Sequence, residues 1–140
     1  MIWYWGHGRL GEYSIVWADT FDLDGNEHVS AYVSKNGEII TASCYEHSVR
    51  VRPSGVDDTF LPTDSLEDSG DYTVKMVLGP GLVLHVNVTS TVVLADTGSL
   101  YTRWAGSLAG SLNGGSVITG GVALFEEFVQ GTQPDMGRIL

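Results

Sequence analysis

Apolar and polar residues alternate with a period of two along most of this chain, which is the pattern of strands buried on one face. In residues 13–18, Tyr13, Ile15 and Trp17 share a side. In 28–34, Val29, Ala31 and Val33 oppose His28, Ser30, Tyr32 and Ser34. In 47–52, Val49 and Val51 point inward while Ser48, Arg50 and Arg52 point out. Residues 71–78 set Tyr72, Val74, Met76 and Leu78 on one face, and 82–89 do the same with Leu82, Leu84, Val86 and Val88. Residues 38–44 form a further strand, and short strands at 91–95 and 100–104 follow. Residues 116–129 are expected to be the longest strand. Turn chemistry separates these runs at Asp22–Asn26, Asn36-Gly37, Gly79-Pro80-Gly81 and Asp96–Ser99. Asn36-Gly37 is a type I′ hairpin signal, and Pro53 ends its strand because it has no N–H to donate. The glycine- and serine-rich stretch 106–115 reads as a mobile loop or bulged edge. No helical period extends over ten residues. The pattern therefore predicts an all-β antiparallel barrel or sandwich.

Length and charge narrow the picture. The 140 residues fit one domain. Seventeen acids against seven bases give a net charge of −10, a poor match to a nucleic-acid backbone or an anionic membrane surface. There is no apolar run of the ~18 residues needed to span a membrane and no basic-then-apolar leader. Cys44 is the sole cysteine, which fits a reducing, cytoplasmic setting. Asp57 to Asp71 holds six acids and no base, and reads as a solvated loop. Asp22 to Asn26 begins like a calcium loop, but Glu27 and Val33 occupy the positions that need glycine and glutamate.

Candidate chemistry concentrates between Trp3 and Trp17, in WYWGHGRLGEYSIVW. Three of the four tryptophans lie here, with glycines at 6, 8 and 11 and the histidine His7. Aromatics give flat walls for an apolar ligand, and they also fill cores. Gly6, Gly8 and Gly11 match G-x-G-x-x-G, but the strand-rich Tyr13–Trp17 follows where a helix N-terminus would have to receive a pyrophosphate. The four histidines show no metal spacing, and no metal site is expected. There is no G-x-S-x-G elbow. An enzyme built on this chain would work without a cofactor. In the last strand, Glu126 falls in phase with Ile118, Val122, Leu124 and Phe128. That phase predicts Glu126 buried inside the barrel and Glu127 exposed.

The aromatic segment resembles the opening of the C-terminal domain of the fungal lipocalin-like Diels-Alderases, decalin-forming pericyclases whose wider relatives are the hydroxyneurosporene synthase-like lipocalin proteins. HVSAYVSKNGEIITASC, SVRVRPSG and GGVALFEEF fit in order and spacing, so the resemblance covers roughly residues 3–130. It implies a lipocalin-like β-barrel, with 1–140 a single domain equivalent to the C-terminal half of a two-domain protein. The substrate pocket would lie where that half meets an N-terminal β-sandwich. Met1 stands almost on the motif, so the β-sandwich is expected to be missing. The implied activity is an isomerase-like, cofactor-free [4+2] cycloaddition of an apolar linear polyene in fungal polyketide secondary metabolism. Orientation supplies roughly 7–11 kcal/mol of such a barrier in the best intramolecular cases. A donor on the dienophile carbonyl adds to this. Residue chemistry, taken with the matched segment, makes Trp3, Tyr4, Trp5 and Trp17 the candidate substrate-binding walls. His7 and Tyr13 are the donors and Glu126 their partner or orienter. At least two of Trp3, Tyr4, Trp5, Tyr13 and Trp17 should line one concave surface with His7 at its rim, beside an exposed apolar patch. Two other readings stay open: a lipocalin-type binding module without turnover, and a half-enzyme that needs the N-terminal domain.

Overall fold

Nine antiparallel strands make one sheet in the computed structural model, which describes residues 1–56, 70–97 and 101–129. They are β1 Ile2–Leu10, β2 Tyr13–Phe21, β3 Glu27–Lys35, β4 Glu38–Ser43, β5 Val49–Pro53, β6 Tyr72–Gly79, β7 Leu82–Asp96, β8 Tyr101–Leu112 and β9 Ile118–Val129. Their order is β4-β3-β2-β1-β9-β8-β7-β6-β5, so the first and last strands pair in the middle of the sheet. Among the described residues there is no helix, and so none long and apolar enough to cross a membrane. The all-β antiparallel, barrel-like expectation holds. The acidic stretch 57–69 and the turn residues 98–99 lie outside the described residues, as does Leu100.

Local sequence sets the hairpins. Asn36 and Gly37 both take positive φ, 52° and 82°, as a type I′ turn requires. They join Lys35 to its partner Glu38. Pro80-Gly81 joins Gly79 to Leu82, with Gly81 at φ 73°. The predicted inward sets of β2, β3, β5 and β6 are buried, except that Val29 is half-buried; on β7 Leu84, Val86 and Val88 are buried and Leu82 is exposed.

The sheet curls until β5 faces β2 and β3, but among the described residues no backbone ladder closes it. Side chains bridge the seam instead. Asp19 on β2 is fully buried, and its Oδ2 accepts the Val51 N–H of β5 at 2.9 Å. The same oxygen accepts Arg52 Nη1 at 3.3 Å, and Glu27 on β3 accepts Arg52 Nη1 at 2.9 Å and pairs with Arg50. An edge strand carries unpaired N–H groups, and here a carboxylate takes one of them. Arg52, expected to point to solvent, is therefore buried in this network, with Phe21 beneath its guanidinium.

Two further expectations are corrected. β1 runs straight through Gly6 and Gly8, and the chain turns only at Gly11-Glu12, where Gly11 has φ 58°. A Cβ on Gly6 would lie 2.2 Å from Trp17 Cζ2, so this glycine makes room for the indole of the neighbouring strand. Residues 106–112 are not a mobile loop but strand, bulged between Leu108 and Gly110 as one alternative expected, though inside the sheet and not at an edge. Gly106 and Gly110 mark close approach there: added Cβ atoms would meet the Thr89 and His85 carbonyl oxygens at 2.2 and 2.3 Å. Residues 91–95 belong to the 15-residue β7, the longest strand, which is bulged between Ser90 and Val92 and again between Val93 and Ala95.

The phase of β9 is also the reverse of the expected one. Ala123, Phe125 and Glu127 point inward, in register with Gly8, Gly6 and Tyr4, and Val122, Leu124 and Glu126 point outward. The outward set is the more apolar run, which is why the pattern misled. Glu126 is buried as expected, at 7% exposure, but on the outer face; Glu127 is equally buried, at 6%, on the inner one.

Candidate functional site

The inner face is filled where the aromatics gather. Tyr72 packs at 5.3 Å from Tyr4, 5.9 Å from Phe125 and 6.0 Å from Trp104, and Trp104 stacks on Phe125 at 5.4 Å. The Tyr72 hydroxyl donates to Glu127 at 3.0 Å. Tyr4, Tyr13 and Trp17 all belong to this buried face. Tyr13 is at the other end of β2 from Phe21, with Lys35 over its ring at 5.4 Å.

The outer face is more open to a ligand. Register aligns its side chains in rows across β3, β2, β1, β9, β8 and β7. One row reads Tyr32, Val16, His7, Leu124, Ala105 and Val92. The next row towards the start of β1 reads Ala18, Trp5, Glu126 and Arg103. The row beyond that reads Thr20, Trp3, Phe128 and Tyr101. An open groove of about 720 Å³ runs over this face, lined by His7, Arg9, Ser14, Val16, Thr91, Ala105, Val122 and Leu124 among others. Val122 and Leu124 on its lining are exposed, at 63% and 39%. His7 sits in the middle of the apolar row, its ring 5.3 Å from that of Trp5.

Glu126 owes its burial on an outer face to the aromatic row beside it. Trp3 packs on Phe128 at 5.7 Å and Tyr101 on Phe128 at 6.1 Å. Trp3 and Tyr101 both reach the carboxylate. Trp3 Nε1 donates to Oε1 at 3.3 Å, and the Tyr101 hydroxyl donates to Oε2 at 2.6 Å. Arg103 donates to the same Oε2 through Nε at 3.1 Å and Nη2 at 2.8 Å. Burial pushes the Glu126 carboxyl up, but the hydrogen bonds from Tyr101 and Arg103, the Arg103 charge and the Trp3 bond outweigh it, and the group is held below the ordinary carboxylate range. Burial, and then Glu126, raise the Tyr101 phenol. A carboxylate with four donors is an organiser of its neighbours and a weak proton acceptor.

Of the seven residues singled out in the sequence, the structure brings Trp3, Trp5, His7 and Glu126 together on the outer face. It places Tyr4, Tyr13 and Trp17 on the inner one, so the rings do not form a single wall and Tyr13 cannot act beside His7. Sequence reasoning missed Tyr101 and Arg103. Both reach Glu126 only through the pairing of β8 with β9.

The chain matches no family model. It is 41% identical over 128 residues to the quinolone epoxide rearrangement protein penF of Penicillium thymicola, a match covering 90% of this chain and 34% of that one. It is 36% identical over 118 residues to the quinolone epoxide rearrangement protein asqO of Emericella nidulans, covering 84% and 32%. The chain thus spans about a third of the length of these curated relatives.

Proposed function

We propose that this chain is the barrel portion of a cofactor-free enzyme that isomerises an epoxide carried on a planar, quinolone-like small molecule, and that the outer groove holds the substrate. The observation that carries the reading is His7, a titratable donor in the centre of an exposed apolar row and in contact with an indole. The likeness to two quinolone epoxide rearrangement proteins supplies the substrate class.

The chemistry needs little else. A protonated His7 gives its proton to the epoxide oxygen while one C–O bond breaks, its electron pair going to that oxygen. Positive charge develops on carbon beside the Trp5 ring, whose π face favours a cation. A neighbouring group migrates with its electron pair, the carbonyl forms, and the hydroxyl proton returns to the imidazole. Substrate and product have the same atoms and oxidation level, so no redox partner enters. Imidazole is suited to both proton transfers near neutrality.

Water would capture such a cation, so the groove must be covered. A second domain over the outer face, the β-sandwich that the family resemblance implies, fits that need. The exposed Val16, Val92, Val122 and Leu124 offer it an apolar surface.

A second reading keeps the [4+2] cycloaddition of a linear polyene to a decalin, with Trp3 and Trp5 as walls. The sequence resemblance favours it, and the same groove would serve. Incubation with a quinolone epoxide and, separately, a linear polyene, followed by chromatography and mass measurement, separates the two. An isomer of unchanged mass from the epoxide, lost in His7→Gln, supports the first reading. Equal rates for His7→Gln and the unsubstituted protein would remove His7 from it, and a decalin of fixed stereochemistry from the polyene alone would favour the second.

A further inference from the structure

We infer that Arg103 is the specificity-determining anchor of the groove, presenting its guanidinium to a ring-carbonyl oxygen of a planar ligand that lies against Trp5. The inference rests on the reading of the outer face as the ligand site. Arg103 and Trp5 do not line the groove itself but stand with Glu126 in the row next to it, and two residues along β8 from Arg103 lies Ala105, on the groove lining. Glu126 Oε2 accepts both Nε and Nη2, which fixes one edge of the planar fork towards β9. Glu126 and the Tyr101 phenol engage the guanidinium on that side, while the side chain as a whole is 46% exposed. A guanidinium held in this way keeps its charge and loses little freedom when its remaining N–H groups are taken.

The ligand class follows from the charge balance. Glu126 neutralises Arg103 within hydrogen-bonding distance, and the chain carries a net charge of −10. An acid would gain little from such a pair and would be repelled by the whole surface. A neutral carbonyl oxygen gains a charge-assisted hydrogen bond without that repulsion. Trp5, on the strand across Glu126, supplies a flat face for the ring that bears it.

Calorimetric titration of the protein with the parent quinolone and with quinoline, the same rings without the carbonyl, tests this. The expected result is about tenfold tighter binding of the quinolone, the worth of one hydrogen bond to a charged donor. Arg103→Met should bring the ratio near one while leaving quinoline affinity unchanged. Arg103→Lys keeps the charge facing Glu126 but loses the planar fork, so the ratio should fall severalfold; this second variant guards against a Met variant that does not fold. A ratio unchanged in both variants overturns the inference and leaves the groove standing. If the unsubstituted protein binds neither compound, the groove reading falls and the anchor with it.

Discussion

Glu126 and Glu127 are neighbours in sequence, lie on opposite faces of one sheet, and each receives a hydrogen bond from a tyrosine. Tyr101 donates to Glu126 on the outer face at 2.6 Å, and Tyr72 donates to Glu127 on the inner face at 3.0 Å. The inner pair is surrounded by the packed rings of the core, whereas the outer pair borders solvent through Arg103. Glu127→Ala should therefore lower stability by about 1–3 kcal/mol, because it removes a buried acceptor of the Tyr72 hydroxyl. Glu126→Ala should cost less, while releasing Trp3 and shifting its fluorescence to longer wavelength. Urea denaturation with emission spectra checks both. A larger stability loss for Glu126→Ala would reverse the assignment of faces.

Asp19 makes the seam sensitive to pH. Burial drives its carboxyl up from 3.8 to about 6, although the Val51 N–H and the charges of Arg52 and Arg50 pull the other way. Its Oδ1 has no hydrogen-bond partner among the described residues and can carry the proton while Oδ2 keeps its bonds. The native state therefore binds this proton more tightly than the unfolded chain does. The stabilisation is fully present below pH 3.8 and is lost as pH rises through about 6, a change of roughly 3 kcal/mol. Asp19→Asn should remove that slope. Unfolding free energies of the two proteins between pH 4 and 7 should converge at the acid end and diverge upward, with the unsubstituted protein the less stable near neutrality. Parallel curves would show that Asp19 does not titrate in the window.

Gly6 and Trp17 should behave as one unit. A methyl at position 6 would lie 2.2 Å from the indole and 2.8 Å from Phe125 Cβ. Gly6→Ala alone should cost about 1–3 kcal/mol through overpacking. Trp17→Phe alone leaves a cavity. In the double variant the methyl occupies part of that cavity, so the combined loss should be smaller than the sum by at least 0.5 kcal/mol, as expected for residues in contact. Strict additivity in a denaturation cycle would contradict the close approach.

The strands were legible because alternation survives wherever one face is buried, as at Val49-Val51 and Tyr72-Leu78. It failed where two faces carry apolar side chains. In β9, the exposed Val122 and Leu124 outweigh the inward Ala123 and Phe125 in the pattern, and the phase inverts. It failed again where glycines serve packing, since Gly106 and Gly110 carry the same letter as a turn glycine but sit against the carbonyls of β7. Trp3, Trp5, His7 and Glu126 were found as residue types. Their separation from Tyr13 and Trp17 needed the register of β1 against β2. Arg103 and Tyr101 needed the pairing of β8 with β9, which no local signal predicts.

That same inversion gives the outer face its last testable property. Val122 and Leu124 are exposed on the central strand of the sheet, and with Val16 they form an apolar surface around His7. Strand side chains pointing away from a packed core contribute little to folding, so Val122→Thr with Leu124→Thr should leave the unfolding free energy within about 0.5 kcal/mol of the original. The same pair of changes removes apolar area from the groove and adds hydroxyls that a flat aromatic ligand cannot satisfy. Burial is worth about 25 cal/mol per Å², so quinolone affinity should fall about tenfold and binding of a hydrophobic dye several-fold. Dye fluorescence, ligand titration and thermal unfolding on the one double variant decide the matter together. Loss of binding with stability intact assigns these side chains to the ligand surface. Loss of stability with binding intact would place them in the core, and the outer face would cease to be the site.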